Sequence, residues 1–361
     1  MMNKRILFIS LPNMGGCQRA TINYAKVLSN AGYNCEFLVW ADSDNIANRI
    51  DDFIPKSFPV KRIICSIKIA PFLFYKFIRR RGGYDCVFSS WNWLNLAICF
   101  TKLLPFCQIG KLVIRDDNMP SRHLKFEQIL FRILRFVPDL YIAQTDEMQT
   151  EAAAVYKNVR RSIVIQNPLD KDTINAAISA PQSNTLTLEG CPKYIAVGRI
   201  SPQKDYVTLI NAFALVKKVY ADAHLFIVGS EDLGSGYADM IKDTVTRYGL
   251  SNSVIFLGFQ SNPYKYIDMS DVFVLSSVYE GLPNVMLEAI YLGKPVAVTT
   301  CIQYIDKVVQ NGINGFKASV GDADSLAEAM IRAYNIHGLS KGVDVNNSDS
   351  LISTTFNKLL S

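Results

Sequence analysis

Residues 193–218, KYIAVGRISPQKDYVTLINAFALVKK, read as a strand, a turn and a helix in immediate succession. Lys193–Val197 is a short apolar run, Gly198–Asp205 holds the Gly, Ser and Pro of a turn, and Tyr206–Lys218 carries apolar residues at helical spacing. A continuous apolar strand followed at once by a covering helix is the repeating unit of a parallel sheet buried on both faces. The unit recurs downstream. Strands are predicted at His224–Val228, Val254–Leu257, Asp271–Ser276 and Pro295–Thr299, with helices at Tyr237–Tyr248, Asn284–Leu292 and Ala323–Tyr334. Upstream, strands are predicted at Arg5–Leu11, Asn34–Trp40, Cys86–Ser89, Lys111–Ile114, Leu140–Ala143 and Ser162–Gln166, with a helix at Gln18–Asn30 stopped by Gly32.

Between the two series, Ser179–Pro192 (SAPQSNTLTLEGCP) shows no sustained periodicity and reads as a linker. The expectation is an α/β protein of two doubly wound parallel-sheet domains. These are residues 1–178 and 193–345 around a linker at 179–192, with a short tail helix in 346–361 packing back on the first domain. Open α/β sheets bind ligands beyond the carboxyl ends of their strands, so the site is expected between the halves.

A chain of 361 residues that is 49% hydrophobic and 19% charged excludes a disordered polypeptide, a collagen-like repeat and a coiled coil. Eight cysteines without a CxxC pair read as buried thiols of a reducing compartment. The apolar run Ile6–Leu11 ends at Pro12 and is too short for a signal peptide or a span. Lys68, Lys76 and Lys102 interrupt the greasiest regions, so a soluble, cytoplasmic protein is expected, at most attached to a membrane surface. Residues 1–190 hold 24 Lys and Arg against 16 Asp and Glu, and residues 191–361 hold 14 against 16. The basic half is expected to face something anionic.

Three turns carry the chemistry. In Ser276–Ile290 (SSVYEGLPNVMLEAI), Pro283 suits the first helical turn, which would leave the amides of Leu282, Asn284 and Val285 as free donors for a phosphate or sugar oxygen. Glu288 sits among apolar neighbours, where a ribose diol could satisfy its carboxylate; the alternative is an exposed helix carboxylate, with Glu280 a plain loop charge. After the strand Lys193–Val197, Gly198 permits close backbone approach while Arg199 and Lys204 can neutralise a diphosphate; the alternative is an ordinary basic loop in which Asp205 caps the next helix. Asn13–Gln18 (NMGGCQ) brings Gly15 and Gly16 to a helix N-terminus, or forms a plain tight turn. Neither GxGxxG nor GxxxxGK[ST] occurs, which removes a dinucleotide fingerprint and a P-loop hydrolase.

Taken together, the early Gly-Gly loop, VGRISPQKDYVTLINAF at 197–213, VG at 228–229, VIFLGF at 254–259 and SSVYEGLPNVMLEA at 276–289 resemble the retaining nucleotide-sugar glycosyltransferases of family four. Glu280 and Glu288 match that family's Glu-x7-Glu signature. The resemblance implies a GT-B fold of two facing Rossmann-like domains and no cofactor or metal beyond a nucleotide-sugar donor, UDP-linked. It implies that Arg199 and Lys204 hold the donor diphosphate, Glu288 the ribose, and Glu280 the donor sugar. Gly281, Leu282, Asn284 and Val285 would add backbone donors, Gly258 and Phe259 would border the base, and Gly15 and Gly16 would reach the phosphate and the acceptor. The implied chemistry is front-face displacement with retention, the departing diphosphate helping to deprotonate the acceptor.

Where many relatives carry a histidine, this chain reads Arg115-Asp-Asp-Asn118, with His123 downstream, expected already in a helix. That version looks closer to enzymes building bacterial surface polysaccharides, such as lipopolysaccharide and capsule, on lipid-linked saccharides. Asp117 and Asn118 are placed on the acceptor side, or the turn merely caps the next helix. A GT-B-type epimerase or phosphorylase, and a non-catalytic sugar-nucleotide-binding homologue, remain competing readings. Asp42-Ser-Asp44 and Asp322-Ala-Asp324 look like metal-binding DxD pairs but are expected to be turn and cap residues. Two basic and aromatic stretches, Lys56–Arg81 and His123–Phe136, either rest on anionic lipid at the inner face of the cytoplasmic membrane or bury their aromatic faces in the core. No nucleic-acid-binding motif accompanies the charge.

Overall fold

The computed structural model describes residues 4–12, 15–42, 53–157, 159, 161–179, 188–231, 236–343 and 348–361. The chain divides into two compact units: Met1–Leu169 together with Asn346–Ser361, and Asp170–Val345.

In the first unit the elements run β1 (Arg5–Ser10), α1 (Gly16–Asn30), β2 (Asn34–Ala41), β3 (Val60–Ile64), α2 (Ala70–Arg80), β4 (Tyr84–Ser90), α3 (Asn92–Leu103), β5 (Ile109–Arg115), α4 (Lys125–Leu134), β6 (Leu140–Ala143), α5 (Asp146–Tyr156) and β7 (Ser162–Val164). The strands form one parallel sheet in the order β3-β2-β1-β4-β5-β6-β7. The central strands are buried on both faces, which is why they read as unbroken apolar runs. One face is filled by Phe8, Phe37, Phe88 and Tyr24, with ring centroids 5.1–5.4 Å apart along the series. The other packs under α2, α3, α4 and α5 through Phe74, Ile78, Leu94, Phe131, Met148 and Tyr156.

The second unit begins with α6 (Lys171–Ser179) and continues β8 (Lys193–Val197), α7 (Tyr206–Val219), β9 (His224–Val228), α8 (Tyr237–Arg247), β10 (Val254–Gly258), α9 (Pro263–Met269), β11 (Val272–Leu275), α10 (Asn284–Tyr291), β12 (Val296–Thr299), α11 (Tyr304–Val308), β13 (Gly315–Ala318) and α12 (Ala323–Tyr334). Its six parallel strands are ordered β10-β9-β8-β11-β12-β13. Finally α13 (Ser348–Leu360) returns to the first unit, burying Ile352, Phe356, Leu359 and Leu360 in the face that holds Phe88. Phe356 lies 6.4 Å from the Phe88 ring, and Tyr33 Oη donates to Asn357 Oδ1 at 2.7 Å.

Both sheets are doubly wound as the strand–helix alternation requires. Two edge strands escaped the sequence reading. β3 (VKRII) is half-exposed with two cations, and β13 (GFKA) starts on a glycine, so neither shows the apolar run of a central strand. Residues 171–178, read from sequence as part of the first domain, group with the second, because Asn262 Nδ2 donates to Ala177 O at 3.1 Å and Asn175 Nδ2 to Tyr291 Oη at 3.0 Å. Most of the expected linker, 180–187, lies outside the described residues, as does Asp44.

Candidate functional site

In the second sheet the strand order reverses between β8 and β11, and it is outside such a reversal that open α/β sheets hold ligands. The two loops leaving those strands are stitched together. Val278 N donates to Gln203 O at 2.9 Å, Gln203 Nε2 to Tyr279 O at 3.0 Å, and Ser276 Oγ to Lys204 O at 2.7 Å. At their meeting point Lys204 Nζ donates to Glu280 Oε1 at 2.5 Å, and Ser277 Oγ donates to the same oxygen at 2.7 Å. Glu280 is 7% exposed and Ser277 fully buried. A carboxylate this buried needs a cation and a donor, and it has both. The reading of Glu280 as a plain loop charge therefore fails.

Glycines clear the floor beneath. A Cβ on Gly198 would meet Lys204 Cε at 3.1 Å, and one on Gly229 would fall 1.9 Å from Gly198 O, so Lys204 lies across bare backbone. Gly229 N in turn donates to Gly258 O at 2.8 Å, joining the ends of β8, β9 and β10 in a continuous row. Gly258 takes a left-handed φ of +65°, and both it and Phe259 are exposed. Arg199 is exposed on the Lys204 turn. Asp205, itself at φ +47°, accepts from Thr208 N at 3.2 Å, so the turn caps α7 as well as presenting its cations.

Glu288, in the second turn of α10, is 4% exposed, which rules out an exposed helix carboxylate. Tyr264 Oη of α9 donates to Glu288 Oε1 at 3.4 Å. Glu288 is thus fixed by a different neighbour from the Lys204–Glu280 pair. Gly281 and Leu282 are buried, and Asn284 and Val285 half-buried. The expectation of three free amides needs correction at Asn284. Pro283 (φ −77°, ψ +77°) forms an inverse γ-turn in which Asn284 N donates to Leu282 O at 2.9 Å. Pro283 also precedes the helix as its N-cap instead of lying in its first turn.

The first sheet reverses between β1 and β4. Gly15 and Gly16 open α1 there and are both exposed; Gly15 is in extended backbone, so its value is space and not a special conformation. Behind them Ser90 Oγ meets Thr21 Oγ1 at 2.7 Å and Cys17 Sγ at 3.2 Å. The next residue, Trp91, has φ +98°, a conformation that bulky side chains seldom take and that structures tend to retain at functional corners.

Beyond β5 lies a buried polar cluster. Arg115, 1% exposed, donates to Asn167 Oδ1, and its Nε has no hydrogen-bond partner among the described residues. Asp116 Oδ2 accepts from Tyr141 Oη at 2.9 Å and Tyr156 Oη at 3.0 Å, and Tyr156 meets His123 Nδ1 at 2.7 Å. His123 is buried between a 3₁₀ turn (Pro120–Arg122) and α4, not in a helix as the sequence suggested, because Tyr156 and Phe131 pack on its ring. Asp117 and Asn118 stand half-buried at this edge. Neither the 3₁₀ turn nor α4 is capped by an Arg115–Asn118 side chain, so the simple capping alternative does not hold. Burial, and then the neighbouring Asp116, push the Asp117 carboxyl above its ordinary value, with Arg115 opposing.

Sequence reasoning missed Ser277, Gln203, Tyr264 and Cys301. Cys301 follows β12; burial and Glu280 push its thiol up to about 12 while Lys204 pulls it down, which places it beside the ion pair. Asp322 accepts from Ser325 N at 3.0 Å and is the N-cap of α12. Among the described residues no three metal-ligating side chains come together, and no helix is long and apolar enough to cross a membrane.

Residues 182–344 match the family model described as glycosyl transferases group 1. Through that segment, 163 of its 361 residues, the chain is similar to the group 1 glycosyl transferases. An uncharacterized glycosyltransferase of Methanocaldococcus jannaschii is 30% identical over 214 residues, 57% of this chain; the chain spans about half the length of that relative, 52%. The N-acetylgalactosamine-N,N'-diacetylbacillosaminyl-diphospho-undecaprenol 4-alpha-N-acetylgalactosaminyltransferase of Campylobacter jejuni is 26% identical, over 82% of this chain and 81% of its own. Among solved structures, Anabaena HepE in complex with UDP and glucose superposes with a TM-score of 0.74 at 20% identity, over 98% of this chain and 95% of its own. The two-sheet architecture is the GT-B fold. The matched segment contains Arg199, Lys204, Gly258, Glu280 and Glu288, while Gly15, Gly16, Asp117 and Asn118 lie outside it.

Proposed function

We propose that this chain is a group 1 glycosyl transferase that moves a hexose or N-acetylhexosamine, with retention and without a metal, from a UDP-linked donor to a lipid-linked saccharide in cell-surface polysaccharide synthesis. The observation that carries the proposal is the Lys204–Glu280 pair at the reversal of the second sheet. A lysine held there by a buried carboxylate is a cation with a fixed address, ready to exchange its partner for a diphosphate. Arg199, exposed five residues earlier on the same turn, supplies the second charge. Glu280 then turns to the donor sugar, Glu288 binds the ribose from α10, and the Gly281–Val285 loop adds amides other than that of Asn284. Gly258 and Phe259 border the base.

Gly15, Gly16, Asp117 and Asn118 serve the acceptor in this reading. The raised Asp117 carboxyl suits hydrogen bonding to a sugar hydroxyl, and the leaving diphosphate takes the acceptor proton. Support for a lipid-linked acceptor comes from the Campylobacter relative, whose name carries a diphospho-undecaprenol substrate, and for the donor from UDP and glucose bound by HepE.

The test is release of UDP from a panel of UDP-sugars with and without a polyprenyl-diphosphate-linked saccharide. Release that requires the lipid acceptor is expected. Release without it, or a change of the donor sugar itself, would favour an epimerase or phosphorylase instead. Donor binding without transfer would favour a non-catalytic homologue.

A further inference from the structure

Helices α2, α3 and α4 lie side by side over one face of the first sheet. Thr101 Oγ1 of α3 donates to Pro71 O at 3.0 Å, Tyr75 Oη of α2 to Pro105 O at 2.8 Å, and Asn92 Nδ2 of α3 to Glu127 Oε2 of α4 at 2.5 Å. Each helix has already buried one apolar stripe against the sheet: Phe74 and Ile78 on α2, Leu94 and Ile98 on α3, and Phe131 and Leu134 on α4. A surface helix should then be polar on its outer side. These three also expose large apolar side chains there.

On α4 a second stripe, Phe126, Ile129 and Ile133, follows helical spacing on the outer side, at 61%, 52% and 66% exposure, and Leu124 and Phe136 extend it at both ends. Ile69 and Phe72 do the same at the start of α2, and Phe100, Leu103 and Phe106 at the end of α3. Scattered surface hydrophobics are ordinary, but two apolar sides on one helix, continued across its neighbours, form a patch of the kind that marks a docking surface.

Charge selects the occupant. Residues 53–84 and 92–115 contain no Asp or Glu, and 118–138 contain only Glu127, which is buried and engaged. Lys68, Lys76, Arg79, Arg80, Arg122 and Lys125 are all exposed in the same segments. An apolar band set among cations with no exposed carboxylate complements an anionic lipid surface, where aromatic and aliphatic side chains enter the headgroup boundary and lysines and arginines meet phosphate.

We infer that the outer face of α2, α3 and α4 is the membrane-docking surface of this chain, and that its partner is an anionic phospholipid bilayer. The face runs to the carboxyl edge of the first sheet: Ile69 and Leu124 flank that edge, where Asp117 and Asn118 stand. Within the transferase reading above, on which the purpose of this face rests, a lipid-linked saccharide would reach the acceptor residues along the same surface.

The experiment is co-sedimentation of the full chain with phosphatidylcholine vesicles, with and without phosphatidylglycerol. Binding is expected only when phosphatidylglycerol is present, weakening as salt rises. Phe126→Ser combined with Ile129→Ser, and separately Lys76→Glu combined with Lys125→Glu, should each lower the partition coefficient roughly tenfold or more. All four positions are exposed, so circular dichroism and the melting temperature should stay at the parent's values. Equal binding to neutral vesicles, no binding to anionic ones, or folded variants that partition like the parent would overturn the assignment. A dimer abolished by Phe126→Ser without vesicle binding would overturn it in favour of a second copy. Vesicle binding needs neither donor nor acceptor, so failure of transfer with docking intact would strike the proposed function alone.

Discussion

Replacing Glu280 by Gln should strengthen the binding of a nucleoside diphosphate while weakening catalysis. Glu280 Oε1 stands 2.5 Å from Lys204 Nζ, with side-chain exposures of 9% and 20%. A phosphate oxygen taking another hydrogen of the same ammonium, at an ordinary charge-assisted distance of about 2.8 Å, would lie about 4–5 Å from that carboxylate oxygen. Two like charges about 4 Å apart repel by about 1 kcal/mol in water and about 4 kcal/mol at an effective dielectric of 20. The partial exposure of Lys204 places the pair toward the lower end, and ~1.4 kcal/mol corresponds to roughly tenfold in affinity. Glu280→Gln keeps the shape and the Ser277 contact but removes the repulsion and frees Lys204. UDP measured by titration calorimetry should therefore bind roughly tenfold tighter. Turnover with the UDP-sugar should fall by about 10²-fold if the carboxylate meets the donor sugar. Unchanged or weaker UDP affinity in a folded Glu280→Gln protein would refute the exchange of partners on Lys204.

Glu288→Gln should weaken UDP binding by about tenfold and Tyr264→Phe by less, since the tyrosine only orients the carboxylate through its 3.4 Å contact; equal losses in titration calorimetry would count against a direct role for Glu288. Gly229→Ala forces a Cβ to within 1.9 Å of Gly198 O and should cost roughly 2–4 kcal/mol in urea unfolding, whereas Gly249→Ala, at φ +66° with open space around it, should cost about 1 kcal/mol. Burial pushes the thiols of Cys17, Cys35, Cys99 and Cys301 from 9.0 up to about 12. Their protons stay on in the folded chain and leave the unfolded one above pH 9, so the stability they contribute is complete below pH 9 and is lost as pH rises toward 12. Melting temperature should fall steadily above pH 9, and Cys99→Ala should flatten the decline; a flat profile would contradict the burial of these thiols.

Periodicity made most of the fold legible. His224–Val228 and Ala323–Tyr334 have the limits that their apolar spacing implies, because each is packed along its whole length. The edges were harder to read: VKRII and GFKA pair along only one side, so their composition carries little of the apolar signal. Within the site, the types and order of Lys204, Glu280 and Glu288 were visible, but their burial was not, since a carboxylate's environment depends on which loops the sheet order brings together. Tyr264 gave no local signal because it reaches Glu288 from a separate helix across 24 residues of chain. The amide of Asn284 was misjudged for the opposite reason. It is satisfied two residues back, by a turn that Pro283 permits and that helix-start rules overlook.

The helix at Ser348–Leu360 inverts the order in which the two units can be finished on the ribosome. Domains generally mature as units while synthesis proceeds. Here the unit whose translation starts first keeps Phe88 and its neighbours without their cover until Ile352, Phe356, Leu359 and Leu360 emerge. Asp170–Val345, a contiguous stretch, has all its parts earlier. A nascent chain halted before residue 348 would carry a mature second unit beside an open apolar face on the first, the state in which a chaperone or a protease would meet it.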